Sequence, residues 1–525
     1  RAGGAWAACW HAAAGRDRVF RTLFGGFNRG SVPGVHPPRV SERPTRLTTF
    51  ERVDISQLDL SRLQFATTTI YHFLFVPVTI GLSFLVATLH TWWHRSGADD
   101  VRRLTRFFGT LLVINIAIGV VTGIVQEFEF GMNWSQYSRF VGDVFGAPLA
   151  MEGLAAFFLE STFLGLWLFG WDVLPRRIHL ACIWALAIGT ALSAAFIMAA
   201  NSWMQHPVGY ELDPTTGRPV LTSIWALFTN PVFVWGYAHV LLASLLTGGM
   251  LMLAVSAWHL RRGSSPAAFL RTAKLSLVVL LPTSVLVLMV GSHLGVVETT
   301  YQPMKVAAME AQWDTCSPCS FSAAQTGGWT SSDQEANKII EIPHLLSILA
   351  TGSFDGEVTG LNELQAQYEK EYGPGDYIPN LPIQYWSMRV MAYLASVVPL
   401  LVLWGLWLWR RGRLERSRAF LTVATWSVLA PFVMNTAGWL LTENGRQPWI
   451  VQGLLLTEDG NSPSVSAGEV ATTLVMFWVI YLVLGWVWVF LMRRYARRGL
   501  DEVGDGPGIG GPTSPSDAEP AVLTY

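Results

Sequence analysis

Two histidines of this chain lie where an imidazole cannot be solvated. His72 falls in an apolar run over about 63–93, and His239 in one over about 232–259. Runs of that length cross a bilayer as helices of ~20 residues or more. At ~1.5 Å per residue, each ring sits about seven to nine residues below the nearer end of its helix. An imidazole at that depth needs a partner: a neighbouring helix, a backbone carbonyl or a metal. For His72 the plain reading is a bond to a neighbouring helix, and the sharper one is an axial ligand to a haem iron. Met391 lies about seven residues into a run over 384–409, with Arg389 just above it. His239 and Met391 suit a six-coordinate electron-transfer haem, because Met/His ligation raises its potential. Arg389 would neutralise a buried propionate. A Met taken alone is more simply core packing.

Carboxylates join the same layer. Glu127 ends a run over 107–127, Glu152 begins one over 148–171, and Glu443 closes one over 419–441. Each must be paired, protonated or ligating at such a position. Glu160, followed by Ser161, lies deeper in the third run, where a carboxyl suits proton relay. Of the eleven histidines, His11 and His36 fall in a leader. His90, His94, His179 and His259 fall at run ends where water is expected to reach them, and His206, His293 and His344 at opposite ends or in loops. Two buried histidines are too few for a haem–copper oxidase but enough for haem.

These residues need a membrane scaffold, and the composition supplies one. The 525 residues are 51% hydrophobic and only 14% charged, against about a quarter charged in soluble domains. Net charge −1 gives no reason to expect nucleic acid. The nine apolar runs are 63–93, 107–127, 148–171, 178–203, 232–259, 272–292, 384–409, 419–441 and 468–492, many with tryptophans at their ends. Loops on one side hold about nineteen Arg and Lys, and those on the other about six, a strong positive-inside asymmetry. The fold expected is an all-α integral membrane protein with nine transmembrane helices. Its N-terminus lies outside, its C-terminus inside, and a large outer loop joins helices six and seven.

The domain plan follows the same bounds. Residues 1–52 are rich in Arg, Gly and Pro and read as a disordered leader or an upstream extension, with Val53 a natural start. Residues 53–292 hold six helices, 293–383 the outer loop, 384–498 three more helices, and 499–525 a disordered tail. Within the loop, 321–337 reads as flexible and Leu361–Tyr372 as an amphipathic helix. Cys316 and Cys319 form a C-x-x-C read as a local disulfide, with redox catalysis the weaker alternative.

Five segments carry a resemblance. SRLQF…YHFLFVP, EFEFGMNWSQYSRFVGDVFGAPLAMEGLAAFFLEST, NSWMQHP, KVAAMEAQW and GRQPW resemble subunit I of cytochrome bd quinol oxidase, in order, from Leu58 to about Arg498. The resemblance implies a plasma-membrane enzyme of bacteria that reduces O2 to water with electrons from quinol, through a low-spin haem b, a high-spin haem b and haem d. By motif, His239 and Met391 match the low-spin ligands, with Arg389 beside them. His72 and Glu443 match the ligands of the two high-spin haems, whose order stays open. Arg446, Trp439 and Trp449 match cofactor-binding positions. Glu127, Glu152, Glu160 and Ser161 match acidic and proton-path positions, and Lys305 and Glu310 match quinol-binding ones. It also implies a second homologous membrane subunit and small accessory single-helix subunits. The short outer loop places the chain with the short-loop members.

Quinol oxidised outside would release protons there, while protons for water enter from inside through groups such as Glu160, so charge separates without a pump. Two alternatives remain at this stage. A membrane cytochrome b that passes electrons to a partner would share His239 and Met391 but give no role to Glu443. A transporter with buried charges would not explain His, Met and Glu in one layer.

Overall fold

The computed structural model describes residues 56–502; the leader over 1–52 and the tail beyond 502 lie outside them. Among the described residues, nine helices are long and apolar enough to cross a membrane. They run Gln57–Ser96, Asp99–Met132, Ser135–Phe169, Arg176–Gln205, Pro231–Arg262, Pro266–Tyr301, Leu381–Arg410, Arg418–Gly445 and Ala467–Ala496, and are numbered here as the first to ninth spans. Each contains nearly all of its apolar run and extends beyond it at one or both ends. The third differs most, starting at Ser135 rather than near residue 148. Its extra turns bury Tyr137, Val141, Val144, Phe145 and Pro148 on one face, an amphipathic pattern that hydropathy alone passes over. Glu152 therefore lies within that span instead of beginning it, and Glu127 lies inside the second span, which continues to Met132.

Two irregularities place site residues. The first span is two helices, Gln57–Phe73 and Val76–Ser96, broken just before Pro77, which lacks the N–H that a continuous ladder needs. Asn115 of the second span bonds the Phe75 carbonyl at 2.9 Å and Thr79 at 2.8 Å, and accepts Trp488 Nε1 at 3.2 Å. His72 thus sits in the last turn of the first half-helix. In the third span, Glu152–Phe157 form a π-helical turn, a feature that often marks functional positions.

The first span packs on the second, fourth and fifth, the fifth on the sixth, the sixth on the seventh, and the seventh on the eighth, with the ninth against the first and second. One apolar core, including Leu82, Leu112, Leu186, Leu253, Leu277 and Val402, runs through this bundle. A second core of Trp134, Tyr137, Trp203, Phe233 and Val451 caps it toward the end that carries the long segment between the sixth and seventh spans, called the loop end below.

The chain is mostly helical rather than all-α. Among the described residues three short antiparallel ladders occur, Tyr210–Leu212 with Pro219–Leu221, Phe321–Gly327 with Ala336–Ile342, and Trp449–Val451 with Leu455–Leu456. The second corrects the expectation of a flexible 321–337. Ile339, Ile340 and Ile342 supply β-favouring residues, and Gly327 and Gly328 take the positive φ that opens the turn. The helix over Leu361–Tyr372 is present as expected. At the arginine-rich end, His90, His179 and His259 are buried rather than in reach of water. They are bonded to Trp167 Nε1 (3.0 Å), the Trp167 carbonyl (2.8 Å) and the Ala496 carbonyl (2.9 Å). His293 lies inside the sixth span against the ring of Trp235.

Close approach of the first and fifth spans depends on glycine. A β-carbon on Gly81 would lie 1.9 Å from the Ser244 carbonyl oxygen, and one on Gly248 2.5 Å from the Gly81 carbonyl carbon. Small residues let transmembrane backbones meet in this way. Gly81→Val is expected to force the two spans apart at a cost of at least ~1–3 kcal/mol. Thermal unfolding in detergent should show a clear drop in Tm, and an unchanged Tm would contradict this packing.

Candidate cofactor site and its loop

His72 Nδ1 lies 3.0 Å from the Thr122 hydroxyl, which can donate to the Gly119 carbonyl at 2.9 Å. In the tautomer that this pairing allows, with the proton on Nδ1, Nε2 keeps its lone pair, the form a metal ligand requires. His239 Nδ1 is buried, and the Val287 backbone of the sixth span lies within reach of the ring, although Nδ1 makes no hydrogen bond of normal geometry. Each of these rings, and Met391, is faced by a glycine on the adjacent helix. A β-carbon on Gly123 would lie 3.0 Å from His72 Cε1, one on Gly291 3.0 Å from His239 Cε1, and one on Gly438 3.0 Å from Met391 Sδ. The fifth to eighth spans close into a ring, fifth on sixth, sixth on seventh, seventh on eighth and eighth on fifth. His239 and Met391 therefore belong to one four-helix enclosure.

Glu443, at the loop end of the eighth span, accepts from Asn201 Nδ2 at 2.9 Å and pairs with Arg446. The same stretch, 439–449, leaves buried donors without acceptors: Nε and Nη1 of Arg446, Nε1 of Trp439 and Nε1 of Trp449. Trp439 also stacks on Phe73, next to His72, with ring centroids 5.0 Å apart. An unpaired buried donor costs ~1–3 kcal/mol, so four of them call for acidic acceptors. The carboxylates of a haem are such acceptors. Among the described residues, no three of His, Cys, Asp and Glu converge to hold a metal ion. An iron held here by single ligands must bring its other donors with it, as a macrocycle does. The donor set fits haem.

The acidic residues of the third span form a row. Glu152 accepts from Ser193 Oγ at 2.6 Å, and Gly189 of the fourth span leaves room beside Glu160. Glu127 of the second span, Glu152 and Glu160 lie close enough in space for each charge to act on the next. Ser161 is exposed and bonds back to the Phe158 carbonyl. Glu127 is also exposed on this chain. Leu154 is 80% and Phe158 64% exposed, whereas Glu152 and Glu160 turn toward the fourth span.

Lys305 and Glu310 lie in the helix Pro303–Glu310 that follows the sixth span. Lys305 Nζ donates to Gln205 Oε1 at 2.6 Å and to Glu298 at 2.8 Å. Glu310 pairs with Arg389 at 2.8 Å. Arg389 also donates to the Ser322 and Met309 carbonyls and lies over the Tyr385 ring. With Nε, Nη1 and Nη2 all committed to the loop, Arg389 would serve a propionate only by giving up one of these bonds. Cys316 and Cys319 are joined in a disulfide, as expected from their spacing. Burial pushes the Glu310 carboxyl above the usual range, and the Arg389 guanidinium opposes the shift.

Asn201, Ser193, Thr122, Gln205 and Glu298 were not singled out from the sequence, because a lone polar residue in an apolar run does not reveal which helix it faces. Arg389→Met should leave Glu310 buried and unpaired, at ~3–5 kcal/mol. Limited proteolysis between residues 311 and 380 should then run severalfold faster, whereas an unchanged rate would mean that the clamp does not hold the loop.

The model of the family described as cytochrome bd terminal oxidase subunit I matches residues 60–500. The cytochrome bd ubiquinol oxidase subunit 1 of Bacillus subtilis is 44% identical over 448 residues, covering 85% of this chain and 95% of that one. The cytochrome bd-II ubiquinol oxidase subunit 1 of Escherichia coli is 38% identical over 500 residues, covering 84% and 96%. The solved bd oxidase from Geobacillus thermodenitrificans aligns with TM-score 0.75 at 29% identity, over 85% of this chain and 99% of its own. With the family model spanning nearly all of the described membrane bundle, the chain belongs to the cytochrome bd terminal oxidase subunit I family.

Proposed function

We propose that this chain is the haem-carrying subunit of a quinol:O2 oxidoreductase of the bacterial plasma membrane, a multi-pass protein that oxidises quinol at its outer face and reduces O2 to water. The observation that carries the reading is the set of buried N–H donors of Arg446, Trp439 and Trp449 in the stretch that carries Glu443, which haem propionates would answer. Glu443 has no part in a cytochrome b that only relays electrons. Neither that alternative nor a transporter accounts for four ligand-type side chains backed by glycines and unsatisfied donors.

In this reading His239 and Met391 hold the low-spin haem b, and His72 and Glu443 hold the high-spin haems b and d. When bound, the haems carry electrons from quinol and reduce O2. The residues of the chain do the rest. Lys305 and Glu310 bind the quinol head group, and Glu310 accepts a hydroxyl proton. Because Glu310 is clamped to Arg389, two residues from Met391, the quinol loop is tied to the helix that holds the first electron acceptor. Glu160 and Glu152, with Ser193, pass protons from the arginine-rich side, which the positive-inside asymmetry makes cytoplasmic. The domain plan then has 53–292 and 384–498 in the membrane and 293–383 outside. The exposed Glu127 of the second span and the exposed apolar side chains of the third fit burial against a second membrane subunit better than contact with lipid.

Met391→Leu removes an iron ligand at almost constant volume. The low-spin signature in the reduced-minus-oxidised spectrum should shift to high spin, and quinol oxidation should slow by at least tenfold. A wild-type spectrum would remove Met391 from the ligand set. Glu310 must be ionised to accept a proton, and its raised pKa means that this form is lost as pH falls through that value. Turnover should therefore drop on the acid side. Glu310→Gln should be slow at every pH, without that limb, and keep a normal haem spectrum. A retained acid limb would show that another group sets it.

A further inference from the structure

One face of the first span is polar where a membrane helix is ordinarily apolar. Gln57, Ser61, Gln64, Thr68 and His72 recur every three or four residues, so they share one side of the helix. Ser61, Gln64 and Thr68 are fully buried. Thr473 of the ninth span donates to Gln64 Oε1 at 3.1 Å, and Thr68 donates to Glu129 Oε2 of the second span at 2.7 Å. Ser61 donates back to the Gln57 carbonyl of its own helix at 2.9 Å. Small polar residues on such a face bond helices together, which accounts for Thr68.

It does not account for Gln64, Glu129 and Tyr481. None is more than 4% exposed, and each keeps a buried polar atom with no partner: Gln64 Nε2, Glu129 Oε1 and the Tyr481 hydroxyl. Glu129 acts electrostatically on Tyr481, and the Gln64 side chain comes within loose hydrogen-bonding reach of it, without a bond of normal geometry between them. Among the described residues no ion pair to Glu129 is present. The set is mixed: an amide that donates, a carboxyl oxygen that accepts and a phenol that can do either. A cation would meet the Gln64 N–H, and an anion would meet the Glu129 carboxylate. Water, which donates and accepts at once, answers all three. The stripe also has two ends. Gln57 bonds Asn461 at 3.0 Å at the loop end, and below Thr68 comes His72, held by Thr122.

We infer that Gln64, Glu129 and Tyr481 hold buried water, the middle station of a hydrated path between the loop-end surface and His72. The use of this path rests on the oxidase reading above: it lets water formed beside the haems leave on the quinol side, away from the Glu160 route by which protons arrive. The presence of water there does not depend on that reading.

Radiolytic hydroxyl labelling of the assembled, haem-loaded enzyme in H2(18)O, read by mass spectrometry, tests it. Tyr481 should incorporate 18O severalfold faster than Tyr385, which is equally buried but has its hydroxyl bonded to Ser322. Glu129→Leu should abolish the excess and Glu129→Gln should keep it. If Glu129→Leu does not assemble, Gln64→Met serves as the dry variant. Labelling of Tyr481 no faster than Tyr385, or an excess that survives both dry variants, overturns the inference. A native protein without haem bands would instead overturn the oxidase reading and leave the labelling result standing.

Discussion

A bilayer offers no hydrogen bonds to whatever is placed inside it, so every buried polar atom must be answered by protein or by something the protein holds. Most of the polar groups in this bundle are answered internally. Asn115 repairs the break in the first helix, Lys305 is held between Gln205 and Glu298, and Arg389 binds a carboxylate and two carbonyls. The unanswered donors of Arg446, Trp439 and Trp449 fall in the stretch that carries Glu443, and a second unanswered set, Gln64, Glu129 and Tyr481, lies between the first, second and ninth spans. That distribution separates groups that shape the scaffold from groups that face a ligand.

The two kinds of group meet on the seventh span. Arg389 and Met391 stand two residues apart, one turned to the loop helix and the other to Gly438 of the eighth span. A helix bonded to the loop by a buried ion pair, with a soft sulfur donor half a turn away, mechanically joins the place where a reductant would dock to the place where its electrons would go. Glycines opposite Met391, His239 and His72 let neighbouring backbones approach these side chains without filling their surroundings.

Much of this was legible in the sequence, for identifiable reasons. The nine spans announced themselves through long apolar runs, because the bilayer imposes length as well as polarity. His72 and His239 stood out because an imidazole is rare there. The start of the third span did not, since its first turns are amphipathic and their apolar face packs on protein. The hairpin at 321–342 was hidden by Ser, Gly and Gln, which read as flexible until a partner strand is known. The ties from Thr122 to His72, and from Ser193 to Glu152, needed the relative rotation of whole helices, which no local pattern encodes. Glu129 was passed over because it sits near the end of a span, where a carboxylate is usually taken to be solvated.

The bare flank of the third helix has a consequence for how such a protein is made. Leu154 and Phe158 present apolar side chains outward, while Glu152 turns to Ser193 and Glu160 to Gly189 of the fourth span of the same chain. A chain inserted alone would therefore meet lipid along that flank with apolar side chains, its two deeper carboxyls already covered by its own fourth span. Insertion into the bilayer need not wait for anything to dock there.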